Sequence, residues 1–219
     1  MSATITFPDP GSVADARTYL SRAARVDNTA VRLVLRAGVL ALYTAALSPR
    51  GLLDRGFTVL GLRTMRATSE TDLDVVVPVR GVLDRLATPE SVSGNVLDLV
   101  LPDQRVATVW AGISPPRGEW LSIGGVRAAT LSDAARRGVA EVADAIPTAA
   151  GDHVVQSVRQ SVWMRPLDER EDVPGGAAFA ADALGFIPDP DERVPLFASG
   201  SWVRLSPARG HILARRSAT

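Results

Sequence analysis

Val13, Ala16, Leu20 and Ala23 recur at spacings of three and four, while Asp15, Arg17 and Arg22 fall on other faces. That period predicts an amphipathic helix over residues 12–25, entered through the turn Asp9-Pro10-Gly11. A short strand over Thr4–Phe7 precedes it. The period then falls to two. Val31, Leu33 and Leu35 alternate with Arg32, Val34 and Arg36, the signature of a strand, and Ala37-Gly38 supplies a tight turn into the apolar run at 39–46. A long strand is expected at 57–67 and another at 73–79. Pro78 has no amide hydrogen to donate, so that strand must end there or lie at an edge. Val82, Leu83 and Leu86 predict a short helix over 79–86, and two further strands are expected at 95–101 and 105–110, around Pro102-Asp103.

Residues 111–128 (AGISPPRGEWLSIGGVRA) break the pattern and read as a loop rich in proline and glycine. From Thr130 the helical period returns. Leu131, Ala135, Val139, Val142 and Ile146 form one stripe, Asp133/Arg137 and Arg137/Glu141 are spaced as i,i+4 pairs, and Pro147 closes the helix. A second helix is expected at 152–164, where the β-branched content leaves a strand as the alternative, and a third, buried one at 176–186. Trp202–Leu205 and His211–Arg215 flank the turn Ser206-Pro207-Ala208-Arg209-Gly210 and predict a hairpin.

The expected class is α+β: a mostly antiparallel sheet with flanking helices, followed by a helical C-terminal region ending in a β-hairpin. The division is 1–112 for the sheet domain, 113–128 for the connecting loop and 129–219 for the helical region. Packing of the whole as one domain is the alternative.

Composition narrows the chemistry. The 219 residues include 24 arginines, no lysine, no cysteine and two histidines, His153 and His211. Lysine Schiff bases, the P-loop lysine, thiolate nucleophiles, disulfides and zinc–thiolate sites are thereby excluded. Arginine in place of every lysine points to a GC-rich bacterial genome. Net charge is zero, and the halves match: 12 Arg and 11 acids in 1–110, 12 Arg and 13 acids in 111–219. No apolar run is long enough to span a bilayer and the first residues do not read as a secretory leader, so a soluble, cytoplasmic protein without membrane contact is expected.

Three constellations are candidates for function. The first is the segment Ile113–Trp120 (ISPPRGEW), a proline-stiffened loop whose Arg117, Glu119 and Trp120 are placed to line a pocket or dock a partner, or else to pin the loop to the core. The second is Asp72 and Asp74, which alternate onto one face at a strand entry and have the chemistry to hold a divalent cation or share a proton; an acidic turn is the simpler reading. The third is Arg204, Arg209, His211, Arg215 and Arg216. Residues 199–219 hold four arginines and no acid, and the order helix, helix, helix, hairpin is that of a winged-helix DNA-binding domain. Against it stand the net charge of −6 (eight acids, two arginines) over 168–193 and a third helix without Arg, Asn or Gln to read base edges. The acidic stretch is the simplest partner for the basic hairpin.

No motif implies a cofactor, and the histidines lack metal-ligand spacing. Asp189, Asp191 and Glu192 lack the spacing and glycine of a calcium loop, and no serine-nucleophile or glycine-rich phosphate motif occurs. The reading that follows is a non-catalytic binding or protein-interaction protein whose partner is another protein or a second copy of itself. The alternatives are a DNA-associated regulator with a winged-helix-like C-terminal region and a small-molecule enzyme or ligand binder using carboxylates and arginine.

Overall fold

The computed structural model describes residues 3–49, 57–147 and 150–215. The chain divides into two compact units: residues 1–45 with 61–113, and residues 46–60 with 114–219.

In the first unit, β1 (Thr4–Phe7) leads into α1 (Pro10–Val26), then β2 (Ala30–Arg36), β3 (Val39–Leu47), β4 (Thr58–Arg66), β5 (Leu73–Pro78), α2 (Val79–Ala87), β6 (Glu90–Ser93) and β7 (Val96–Val100). β3 and β4 run on into the second unit. Asp9 caps α1, its carboxylate accepting from the Ser12 amide at 2.8 Å, and Pro10 starts the helix, where its missing N–H costs nothing. Val13, Ala16, Leu20 and Ala23 are buried as their spacing requires, joined by Tyr19. The Tyr19 hydroxyl meets that of Thr44 at 2.8 Å, which satisfies two buried polar groups together.

β2 pairs with β3 through the two-residue turn Ala37-Gly38, whose φ values of 49° and 76° are those of a type I′ turn. The strand order is β5-β2-β3-β4, and β1-β7-β6 form a separate three-stranded sheet. β5 ends at Pro78 and lies at the end of its row, as the proline demands.

The second unit holds β8 (Leu121–Arg127), α3 (Ala128–Ala145), α4 (Asp152–Trp163), the short pair β9 (Pro166–Leu167) and β10 (Arg170–Pro174), α5 (Gly175–Ala183), and β11 (Arg193–Ser199), β12 (Trp202–Leu205) and β13 (His211–Arg215). The strand order is β13-β12-β11-β8, all antiparallel. α3 has no side-chain cap. The carbonyls of Glu192 and Pro190 accept its first amides, those of Ala128 and Ala129, at 2.9 and 3.0 Å. Ala177, Ala178, Ala180 and Ala181 bury α5, so small side chains let α3 approach closely. The architecture is α+β, mostly antiparallel with flanking helices and a C-terminal strand hairpin.

Five expectations change. Residues 105–110 form no strand, because β7 already has β1 and β6 on its two sides; Trp110–Gly112 is a 3₁₀ turn. Within the expected loop 111–128, residues 121–127 are a strand. Its glycines mark a bulge opposite Leu196 and Phe197, where a side chain on Gly125 would collide with the Val194 carbonyl at 2.9 Å. The order of a winged helix is absent, since β9 and β10 separate α4 from α5 and β11 precedes the hairpin. The buried stripe of α3 is Ala128, Leu131, Ala135 and Gly138, while Val139 is 50% exposed. The acids and arginines of α3 also pair otherwise: Asp133 with Arg136, Arg137 with Asp168, and Glu141 with Arg165.

Candidate interaction surface

β8 occupies the end of its strand row, and among the described residues no strand bonds its outer edge. An unpaired strand edge presents free N–H and C=O groups and templates association unless it is blocked. Leu121, the first residue of β8, is 73% exposed, the highest value among the exposed large hydrophobic residues.

The segment before β8 is rigid. Pro115-Pro116 limits its backbone, and the Pro116 carbonyl accepts from the Trp120 indole N–H at 3.1 Å. Glu119 takes a left-handed φ of 58°, a conformation that costs a non-glycine residue about 1 kcal/mol or more. Trp110, Trp163 and Trp202 are buried, and Trp120 is half-buried. Arg117 and Glu119 are exposed.

Over Trp120 lies Arg204, its guanidinium carbon 4.6 Å from the indole centroid and 4.5 Å from the Phe197 ring. Phe197 stands directly across from Arg204 in the β11–β12 ladder. Among the described residues no acceptor meets any N–H of Arg204, and its Nε is buried. Burial alone pushes its pKa below the usual arginine value, and the group stays charged.

The other anticipated residues are engaged elsewhere. Asp74 belongs to the first unit, where both its oxygens accept from Arg32, at 2.7 and 2.8 Å, and Asp72 faces Arg36 at 3.8 Å. Arg117, Glu119 and Trp120 belong to the second unit. Cross-strand arginines thus neutralise the aspartates, and among the described residues no group of three or more His, Asp or Glu could hold a metal ion. Of the hairpin residues, His211 Nδ1 lies 3.0 Å from the Ser206 hydroxyl, Arg215 reaches Ser201 at 3.4 Å, and Arg209 is exposed. Arg216 lies outside the described residues. The acidic stretch meets the hairpin through backbone: the Glu192 carboxylate accepts from the Ala208 amide at 2.7 Å. Sequence reading included Arg204 only as a nucleic-acid contact and left out Phe197. The pairing of β11 with β12 was the missing signal.

Each unit also carries a recess among its described residues. One, of about 700 Å³, runs along α1 in the first unit, lined by Val13, Leu86 and Leu97 with Arg17, Arg22 and Arg25. The other, of about 150 Å³, lies in the second unit over Trp163 and Leu167, with Arg137, Glu141, Arg165 and Asp168 on its walls.

Residues 1–112 match the family described as domain of unknown function DUF8010. The chain belongs to that family. Residues 115–219, which follow the DUF8010 region, match a second described as domain of unknown function DUF8185. No curated protein matches the sequence. Among solved structures the fold is similar to the DNA polymerase sliding clamp of Caulobacter crescentus (13% identity, TM-score 0.51) and to that of Bacillus subtilis (10%, 0.53), with 100% of this chain covered in both comparisons. A putative DNA polymerase III beta subunit from Eubacterium rectale aligns over 99% of the chain at 9% identity, with a TM-score of 0.52. The chain spans 65–66% of the length of those proteins, just under two thirds. At such identities the likeness is one of fold. No helix among the described residues is long and apolar enough to cross a membrane.

Proposed function

We propose that this DUF8010 chain is a non-catalytic binding protein of the bacterial cytoplasm, a scaffold of sliding-clamp-like fold that engages a protein partner or a second copy of itself. The observation that carries this reading is the clamp-like fold, which takes in the whole chain. The open edge of β8 beside Leu121 and Trp120 supports it, because it gives the scaffold a place to bind. Sedimentation velocity of the purified chain, alone and mixed with soluble extract of its source cells, tests it, with mass spectrometry of whatever co-sediments. A stoichiometric complex of the chain with itself or with a protein is expected. A chain that stays monomeric and unaccompanied while depleting a metabolite from the extract would overturn the reading.

A second reading is favoured by one feature. Arg17 and Arg25 are exposed along the α1 groove, form no ion pair among the described residues, and meet no acid in its lining. Together with a fold found in DNA polymerase sliding clamps, this supports association with DNA through α1 instead of through the C-terminal hairpin. Duplex binding that falls steeply with salt, and whose salt slope drops by about 2 when Arg17 and Arg25 become alanine, is the expected result. Binding that is absent at low salt, or unchanged in the double variant, would refute it.

A further inference from the structure

We propose that Arg204, held over Trp120 and Phe197, recognises a carboxylate side chain on an extended segment of a partner protein docked along the open edge of β8. This rests on the protein-scaffold reading above and names the chemistry of the partner.

A guanidinium has five N–H donors in a planar fork, and arginines drawn into a protein normally spend them on carboxylates or carbonyls. Arg32 does so, bidentate to Asp74 with a further bond to the Ala111 carbonyl at 2.9 Å; Arg170 does so with Asp172. Among the described residues Arg204 meets no acceptor, although its Nε is buried. A buried donor without an acceptor is a standing cost. Stacking over two aromatic rings fixes the guanidinium plane and engages its faces, which leaves the edge carrying the N–H groups for an acceptor. The terminal nitrogens meet no acceptor among the described residues and are not buried as Nε is. Such a group is preorganised for a planar, bidentate anion.

The surroundings identify its bearer. Phe197 lies on β11, and Trp120 immediately precedes β8, so Arg204 leans from β12 across β11 toward the open edge. A strand added beside β8 would run three strand spacings from β12, about 14 Å. An arginine and a glutamate pointing at each other span that gap. Successive side chains of a strand face opposite ways, so an apolar residue next to the acid would be offered to Leu121 while the acid turns to the Trp120 side. Main-chain bonds to β8 would supply affinity and the carboxylate would set register, the division of labour in strand addition. A phosphate backbone fits less well. Residues 46–60 and 114–219 hold 14 arginines and 14 acids, a net charge of zero, whereas a nucleic acid calls for an excess of cations.

The test uses the full chain and two capped hexapeptides, one alternating Val and Glu, the other Val and Gln. Binding is followed by the Trp120 indole and Arg204 Nε signals in a two-dimensional NMR titration. The Glu peptide is expected to bind at least about tenfold more tightly than the Gln peptide in the wild type, with both signals shifting. That preference should vanish in Arg204→Met, which keeps the apolar stem over the rings, and shrink in Arg204→Lys, which keeps the charge without the fork. Equal affinities in the wild type overturn the proposal on a protein whose folding is not in question. So do undetectable binding of both peptides and a preference that survives Arg204→Met. If a protein complex sediments but the Glu peptide shows no advantage, the scaffold reading stands and the Arg204 site falls. If the advantage holds but no complex sediments, the scaffold reading falls instead.

Discussion

Replacing Gly138 by alanine should destabilise the protein, although the same change inside most helices stabilises it. Glycine in a helix interior costs about 0.8–1 kcal/mol relative to alanine, so propensity alone predicts a gain of that size. Packing predicts the opposite. A Cβ at position 138 would lie 2.3 Å from Cζ3, 2.5 Å from Cη2 and 3.2 Å from Cε3 of Trp163, so the indole would have to move. It has little room, because the ring is buried and stacked on Phe179 with centroids 4.7 Å apart, and Gly175 and Gly176 pack against the same residue. Overpacking a dense site costs about 1–3 kcal/mol, and two overlapping ring atoms with a third in tight contact place this one toward the top of that range. Setting the propensity gain against it leaves a net loss of about 1–2 kcal/mol, or about 2–8 °C in melting temperature for a chain of this size. Urea unfolding of wild type and Gly138→Ala measures it. In a Trp163→Phe background the clash is relieved, and Gly138→Ala should then become neutral or stabilising, giving a coupling of about 1 kcal/mol or more in the double-mutant cycle. Stabilisation by Gly138→Ala in the wild-type background would show that the α3–Trp163 contact is not as tight as described.

Asp74→Ala should cost about 2 kcal/mol in urea unfolding, since it strips two acceptors from Arg32, whose side chain is only 15% exposed; Arg32→Met with Asp74→Leu should recover most of that loss. Burial raises the Tyr19 pKa above its ordinary value of about 10, so above that pH the unfolded chain releases a proton that the folded chain keeps. Stability should therefore fall with rising pH by about 1.4 kcal/mol per unit more in the wild type than in Tyr19→Phe, and parallel profiles would refute the assignment. Ala37→Asn should raise the unfolding free energy by about 0.5–1 kcal/mol, because asparagine tolerates the left-handed φ of the Ala37-Gly38 turn better than alanine does.

Periodicity located most elements because burial and period agree in them. α1 buries the residues its spacing nominates, and the alternation at Val31, Leu33 and Leu35 sets the face of β2 that is covered. α3 departs from its pattern for a packing reason: Gly138 carries no hydrophobic signal, yet its missing side chain makes room for the Trp163 ring, which moves the buried stripe away from Val139. β8 was hidden because Gly124-Gly125 ordinarily marks a turn, whereas here the pair sits at a bulge beside the Val194 carbonyl. The aspartates at 72 and 74 looked like ligand groups because strand pairing, which brings Arg32 and Arg36 to them, is not written locally.

Several departures from local rules fall close together in the second unit. A non-glycine residue in the left-handed region at Glu119, a bulge in the β8–β11 ladder, an exposed leucine at 121 and, at 204, an arginine that meets no acceptor among the described residues all fall on β8, β11, β12 and the loop that precedes β8. Each carries a cost that an ordinary substitution would remove: glycine at 119, a polar residue at 121, methionine or leucine at 204. Folding stability alone would favour those replacements. Under the proposal above, this surface is the one a partner would complete, whereas arginines such as Arg32 and Arg170 already find their carboxylates within the chain. The acidic pair differs: Asp74 is bidentate to Arg32 and Asp72 faces Arg36 across the strands.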